Sequence, residues 1–134
     1  MAGGLKELCF SRIQRAQREL LDAELLLENG SFHSSINRSY YAIFHAVRAV
    51  NALDGFDSSK HSGVIAHFNH AHVANGDFPK ETSKLIQTAF KLRSESDYDD
   101  FFQATQENAS DALENAKLFV HSANRFLSEQ LSDS

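Results

Sequence analysis

Apolar residues recur at spacings of three and four along most of this chain, the period of an α-helix. No Asn-Gly or Asp-Gly turn sits between alternating strand-like runs. The first helix is expected from about Leu5 to Glu28, with a seam of Cys9, Ile13, Ala16, Leu20, Ala23 and Leu27. Asn29-Gly30 then supplies the left-handed residue that stops it. A central helix comes next, with Ser31 as candidate N-cap, and runs to about Leu53. The connection is so short that these two helices must lie antiparallel.

The central helix divides into three stripes rather than the usual two. Ile36, Tyr40, Ile43, Val47 and Val50 make an apolar seam. Arg38, Ala42, Ala46, Ala49 and Leu53 form a side of mostly small residues that lets another helix come close. Asn37, Tyr41, Phe44, His45 and Arg48 share the third side, a chemically mixed stripe that is the first place to look for function.

Beyond a turn-rich loop, where Ser58 or Ser59 could cap the next element, Lys60 to His70 reads as a short helix burying Val64, Ile65 and Phe68. Pro79 fits the first turn of a further helix, with Asp77 as its cap, running to about Arg93 and burying Leu85, Ala89 and Leu92, with Ile86 and Phe90 beside them. Beyond Arg93, serines and carboxylates weaken the helical pattern. Thr105 opens the last helix, whose seam is Ala109, Ala112, Ala116, Phe119, Ala123 and Phe126. The expected fold is all-α: an antiparallel, up-down bundle of four long helices plus one short helix. It forms one domain over residues 1–134, with a frayed polar tail after about residue 131.

Composition adds bounds rather than identity. At 134 residues, 42% hydrophobic and 23% charged, the chain has an ordinary globular make-up. No apolar run approaches the roughly 20 residues of a membrane span. The N-terminus lacks a secretory profile, and Cys9 stands alone on an apolar face, so a buried inert thiol and a cytoplasmic location are expected. A net charge of -5 opposes broad electrostatic capture of nucleic acid but leaves room for a local basic groove. Arg15 with Glu19 and Arg18 with Asp22, each four apart, are expected to pair along an outer face.

Among motifs that carry chemistry, no P-loop, G-x-G-x-x-G, G-x-S-x-G or H-E-x-x-H occurs. His61, His67, His70 and His72 cluster in sequence, and His67 and His70 have metal-ligand spacing, but no cysteine joins them. They are expected to be partly exposed histidines near a loop, with no metal site. Arg93 and Asp97, four apart, can form a simple salt bridge at a helix end. Alternatively Asp97 holds Arg93 towards a phosphate, with Tyr98 alongside as a hydroxyl donor.

Three motifs together resemble a known family. They are N-R-S-Y-Y-A-I-F-H-A at Asn37–Ala46, K-H-S-G at Lys60–Gly63 and R-S-E-S-D-Y at Arg93–Tyr98. In order and spacing they are similar to the HEPN domain family, in particular its small stand-alone bacterial and archaeal branch, over about Leu5 to Leu131. The resemblance implies a helical bundle that forms a two-fold dimer. Many members are RNases, several of them toxins, with an Arg, a polar residue and a His meeting across the dimer. Others pair with a minimal nucleotidyltransferase as toxin and antitoxin.

Carried over, Arg93 matches the motif arginine and Ser94 its polar neighbour. The positions of the histidine hold Tyr98, Asp99 and Asp100, so no imidazole stands there to move a proton. Some members carry a tyrosine in this place that the partner enzyme modifies, which makes Tyr98 the candidate modification site. Its ring could equally pack on Phe101 or Phe102. The expected ligand is RNA or a nucleotide, held by Arg93, with Asn37, Tyr41, His45, Arg48 and Ser94 as further contacts and Asp97 orienting the arginine. The alternative is a non-catalytic nucleotide-binding or scaffolding subunit that presents substrate to the nucleotidyltransferase. Neither reading calls for a cofactor.

Overall fold

The computed structural model describes residues 2–132. Helix α1 (Ala2–Glu28) is succeeded by α2 (Phe32–Asn51), which tightens into a 3-10 turn at Ala52–Asp54. The short α3 (His61–Phe68) passes directly into a π-helical turn at Asn69–Val73. Then come α4 (Glu81–Tyr98) and α5 (Gln106–Leu131). Among the described residues there is no strand, and none of the helices is long and apolar enough to cross a membrane.

The turn between α1 and α2 is built as the sequence suggests. Gly30 has φ +79°, the Ser31 N–H reaches Leu26 O at 2.8 Å, and the Gly30 N–H reaches Leu27 O at 3.1 Å. Those two bonds satisfy carbonyls that the helix end would otherwise leave bare. Ser31 does occupy the N-cap position of α2, but its hydroxyl makes no capping bond. Thr105 at the start of α5 does cap: its hydroxyl accepts from the Asn108 N–H at 3.0 Å, and Asn108 Oδ1 accepts from the Thr105 N–H in return.

Side-chain pairings give the helix directions. Glu19 meets Arg38 and Ala23 O meets Ser35, so α1 and α2 are antiparallel. Arg93 meets Tyr41 and Asp97 meets Asn37, so α4 is also antiparallel to α2. Phe119 meets Phe68 and Phe126 meets His72, so α5 runs along with the segment from α3, parallel to α2, and the four long helices alternate up and down. Helix α3 breaks the alternation: His61 lies beside Phe44, Val64 O beside Asn51 and His67 beside Asp54, so α3 runs parallel to α2. The loop after the 3-10 turn climbs back along α2 to permit this, tied on the way where Asp57 meets Arg12 and Arg48.

Helix α2 packs against α1, α3, α4 and α5. Its apolar seam of Ile36, Tyr40, Ile43, Val47 and Val50 is wholly buried, as are Ala42, Ala46 and Ala49. Cys9 is buried as expected, and that burial pushes its thiol pKa up.

Several local expectations are corrected. Helix α4 does not fade at Arg93 but continues to Tyr98, because Ser96 and Asp97 find partners on α2 that outweigh weak local propensity. Its buried centre is Ile86 rather than Leu85, Ala89 and Leu92, while Phe90, at 39% exposure, leans on Tyr40. Asp77 does not cap it, since its carboxylate is taken by His72 and Asn75, and the helix starts at Glu81. Neither Ser58 nor Ser59 caps α3, whose N-cap is Lys60. Of the tail expected to fray, Ser132 still closes α5 by donating its N–H to Ser128 O, and residues 133–134 lie outside the described residues.

Ile43 is 1% exposed at the middle of the enclosed helix. Ile43→Ala should destabilise the protein by about 2–5 kcal/mol, through lost burial plus the cavity left behind. Equilibrium denaturation checks it; a loss below about 0.5 kcal/mol, typical of a surface change, would refute this packing.

Candidate functional site

Because α4 runs antiparallel to α2, the Arg93–Tyr98 segment lies along the mixed stripe of the central helix. Arg93 and Asp97 form an ion pair, with Nε 3.0 Å from Oδ2, although the buried N–H is not aligned well enough to make a hydrogen bond. Arg93 Nη2 donates to the Tyr41 hydroxyl at 3.3 Å. Asn37 Nδ2 donates to Asp97 Oδ2 at 3.2 Å. The guanidinium carbon also lies 5.4, 5.6 and 5.8 Å from the ring centres of Tyr40, Tyr41 and Tyr98, so three aromatic faces surround one cation.

The network continues into α1. Asn37 Oδ1 accepts from Arg38 Nη2 at 2.6 Å, and Arg38 Nη1 reaches both oxygens of Glu19, at 3.1 and 2.8 Å. Glu19 is only 8% exposed, so the guanidinium compensates a carboxylate that would otherwise be costly to bury. The expected pairing of Glu19 with Arg15 along α1 does not form, nor does that of Arg18 with Asp22, among the described residues. Glu19 faces inward to α2 instead.

His45 and Arg48 belong to a second polar layer further along α2. Arg48 pairs with Asp57 at 3.1 Å, and its backbone carbonyl accepts from Arg12 Nη1. His45 Nε2 is 4.0 Å from Glu19, too long for a hydrogen bond, and its Nδ1 is buried without a partner among the described residues. Burial lowers the His45 pKa to about 4, and the positive charges of Arg15, Arg48, Arg38 and Arg12 push the same way. Three of these arginines are already paired with carboxylates, Arg12 and Arg48 with Asp57 and Arg38 with Glu19, while Arg15 is exposed.

The predicted site residues thus divide. Arg93, Asp97, Asn37 and Tyr41 are brought together, with Tyr98 beside them. Tyr98 is 75% exposed and Phe101 93% exposed, and no aromatic contact joins Tyr98 to Phe101 or Phe102 among the described residues. Ser94, the next residue on the helix after Arg93, makes no side-chain hydrogen bond to the cluster. Arg48 sits in the other layer.

The structure also adds residues that helical patterning left out. His33 Nδ1 and the Ser96 hydroxyl are 2.5 Å apart, and His33 Nε2 is 3.5 Å from Asp97 Oδ1. His33, Asn37 and Tyr41 are spaced by four, so helical periodicity could have placed His33 on this face. His61 stacks on Phe44 with ring centres 4.0 Å apart, and its Nδ1 is 2.8 Å from the Tyr40 hydroxyl. Burial raises the Tyr40 pKa, and burial together with Arg93 lowers that of His61. A protonated phenol therefore meets a neutral imidazole. With the ring proton on Nδ1, that nitrogen donates to the Tyr40 oxygen and Nε2 presents a free lone pair; with it on Nε2, the phenol donates to Nδ1 and no basic lone pair is left. His61 joins this seam through side chains far from it in sequence, which no local pattern indicates.

Away from the seam, His67 and His72 are not independent loop-side histidines. Both face Asp54, and His72 is 5% exposed, whereas His70 is exposed. His67 pairs with His72 rather than with His70, because the π-helical turn changes which residues share a face.

The chain is similar in sequence to known proteins over most of its length. The HEPN domain family profile matches residues 11–126. A UPF0332 protein of Thermotoga maritima is 37% identical over 125 residues, covering 92% of this chain and 95% of that protein. A Methanocaldococcus jannaschii protein named as a candidate toxin is 30% identical over 127 residues, covering 95% and 94%. A UPF0332 protein of Archaeoglobus fulgidus is 34% identical over 112 residues, covering 84% and 89%.

The His45 environment makes a prediction about pH. Its pKa is depressed in the folded protein, from 6.5 to about 4, so stability is fully present above about pH 6.5. It is lost as pH falls towards 4, because the unfolded chain takes up a proton that the native protein refuses. The loss attributable to this group should be on the order of 3 kcal/mol. His45→Gln should flatten the acid limb of the stability curve by a comparable amount, measured as denaturant midpoints at neutral and acidic pH.

Proposed function

The chain belongs to the HEPN domain family, and on that premise we propose that it is a toxin-like member that holds an RNA or nucleotide phosphate on Arg93. The groove is completed by a second copy of the chain, and a minimal nucleotidyltransferase is the partner. The candidate-toxin name of a relative aligned over 95% of this chain supports the toxin-like reading.

The observation that carries the proposal is the setting of Arg93. Its Nε side is occupied by Asp97 and its Nη2 is steered by Tyr41, while Nη1 has no hydrogen-bond partner among the described residues. A guanidinium held through Nε and Nη2, its side chain 15% exposed, keeps its Nη1 hydrogens and one on Nη2 to receive a phosphate in forked geometry with little loss of freedom. Asp97, itself held by Asn37, orients the arginine.

Proton transfer, which the motif positions at Tyr98, Asp99 and Asp100 cannot supply, is assigned to imidazoles from other elements. His61 is kept neutral, and in the tautomer that donates its Nδ1–H to Tyr40 the Nε2 lone pair can act as a base. It would take the proton of a ribose 2′-hydroxyl as that oxygen attacks the adjacent phosphorus. The 5′-oxygen leaves with a proton from an acid, a role open to His33 on the other side of Asp97. The product end would be a cyclic phosphate.

Tyr98 is the proposed point of control. Its exposed phenol, beside the guanidinium, can attack a nucleoside triphosphate on the partner enzyme, forming a phosphodiester as pyrophosphate leaves. The attached phosphate would then pair with Arg93 and occupy the place an RNA phosphate needs. A second reading, a non-catalytic subunit that presents substrate to its partner, is favoured by one observation: Arg93 already has two partners in its own chain.

Direct experiments separate the two readings. RNA cleavage and growth inhibition should be abolished in Arg93→Ala and largely lost in Arg93→Lys, while His61→Ala should lose cleavage but retain RNA. An Arg93→Ala protein as active as its parent moves the assignment to the presenting subunit. Light scattering should give twice the 15.0 kDa of the chain. After co-expression with the nucleotidyltransferase, intact mass should show a nucleotidyl adduct that Tyr98→Phe removes. An adduct surviving that substitution rules out control at Tyr98.

A further inference from the structure

We propose that Asp54, His67 and His72 form a binding site for a divalent transition-metal ion of the zinc class, with Asp77 orienting His72. The site stands at the opposite end of α2 from Asn37, where α4 pairs, and is independent of phosphate binding at Arg93.

The first support is how the backbone brings the donors together. His67 lies in the last turn of α3 and His72 five residues on, a spacing that in an α-helix puts side chains about 140° apart. The π-helical turn at Asn69–Val73 closes i→i+5 bonds, so residues five apart return to one face. His67 Nε2 and His72 Nε2 accordingly meet the same oxygen, Asp54 Oδ2, at 2.8 and 2.7 Å. The three donor atoms all lie within 4.8 Å of one another.

The second support is a count of protons. His72 Nδ1 is 2.9 Å from Asp77 Oδ2, so that nitrogen must carry a hydrogen. A neutral imidazole has only one N–H, which leaves Nε2 presenting a lone pair to the lone pairs of Asp54 Oδ2. Two acceptors do not rest 2.7 Å apart unless a cation lies between them or a further proton sits on the ring or the carboxyl. A ligating histidine whose other nitrogen donates to a carboxylate is the usual outer-shell arrangement of metal sites.

The donor set and its surroundings fit the ion. Two imidazoles and one carboxylate, with a fourth position for water, suit zinc and its neighbours. A tetrahedral ion with bonds of about 2.0–2.1 Å spaces its donors about 3.3 Å apart, so the present contacts would open by about half an ångström. The rings are already fixed. His72 is buried beside Phe68 and Phe126, and His67 stacks on Phe56 with ring centres 4.1 Å apart and planes 3° from parallel. Asp54, with its side chain 32% exposed, leaves an entry from solvent. A bound ion would staple the end of α2 to the end of α3, closing the excursion that carries His61.

The test uses tag-free, full-length protein stripped with chelator and then titrated with zinc alone. One ion should bind per chain, by calorimetry and elemental analysis, and raise the melting temperature. Asp54→Asn and His67→Gln, both at partly exposed side chains, should each weaken binding at least tenfold with unchanged circular dichroism. His70→Ala should not alter it. Cobalt should give the strong visible absorption of a four-coordinate site, lost in His67→Gln. Failure to take up one equivalent of zinc, as expected if the site holds a proton instead, overturns the proposal. So does uptake that survives both ligand substitutions.

Discussion

Helix α2 is enclosed by the other four α-helices, so each polar group it carries has to find a partner inside the protein or at a seam. Seams of small residues allow the close approach on one side, where Ala42, Ala46 and Ala49 are fully buried. The consequence appears on its third stripe. His45 Nδ1 is left without a partner among the described residues, whereas Asn37, Tyr41 and Arg38 on the next stripe are satisfied. They are resolved as a chain of alternating charges and dipoles, from Glu19 through Arg38, Asn37 and Asp97 to Arg93. Such a chain holds its members in register better than any one pair would, because moving one group leaves its neighbours unpaired.

That constraint explains how an acidic protein can hold a cation in a fixed place. The net charge is -5, yet Arg15, Arg48, Arg38 and Arg12 lie close enough to His45 to add to the depression of its pKa that burial causes. Arg93 stands apart from that group, between a carboxylate and three tyrosine rings. The ring faces favour the cation without quenching it, and Asp97 fixes its direction. Under the proposed function, the imidazoles that Tyr98, Asp99 and Asp100 do not supply would be delivered by other elements.

The delivery of His61 depends on an unusual piece of topology. A helix leaving α2 through a tight turn would run antiparallel to it and carry its first residue away from Tyr40. Here the loop climbs back past Asp57, so α3 starts beside Phe44 and runs down to Asp54. The π-helical turn ends the excursion and gathers His67 and His72 onto one carboxylate. The same segment thus places one histidine at the arginine seam and two at its far end.

The sequence by itself determined whatever depends on neighbours within one helical turn. Periodicity identified the helices, the buried seam of α2 and the burial of Cys9; Gly30 marked the α1–α2 turn and Thr105 the start of α5. The pairing of Arg93 with Asp97, four apart, was visible for the same reason. What only the tertiary structure decided was every pairing between helices, since that depends on their register and rotation, which no local spacing records. Glu19 with Arg15 and Glu19 with Arg38 are equally reasonable on paper, and burial of the carboxylate against α2 selects the second. Arg48 shares a stripe with Asn37 and Tyr41 yet pairs with Asp57, because the returning loop reaches it first. His67 and His70 have the spacing for a common face in an α-helix, but a change of helical pitch that the sequence does not announce gives that place to His72.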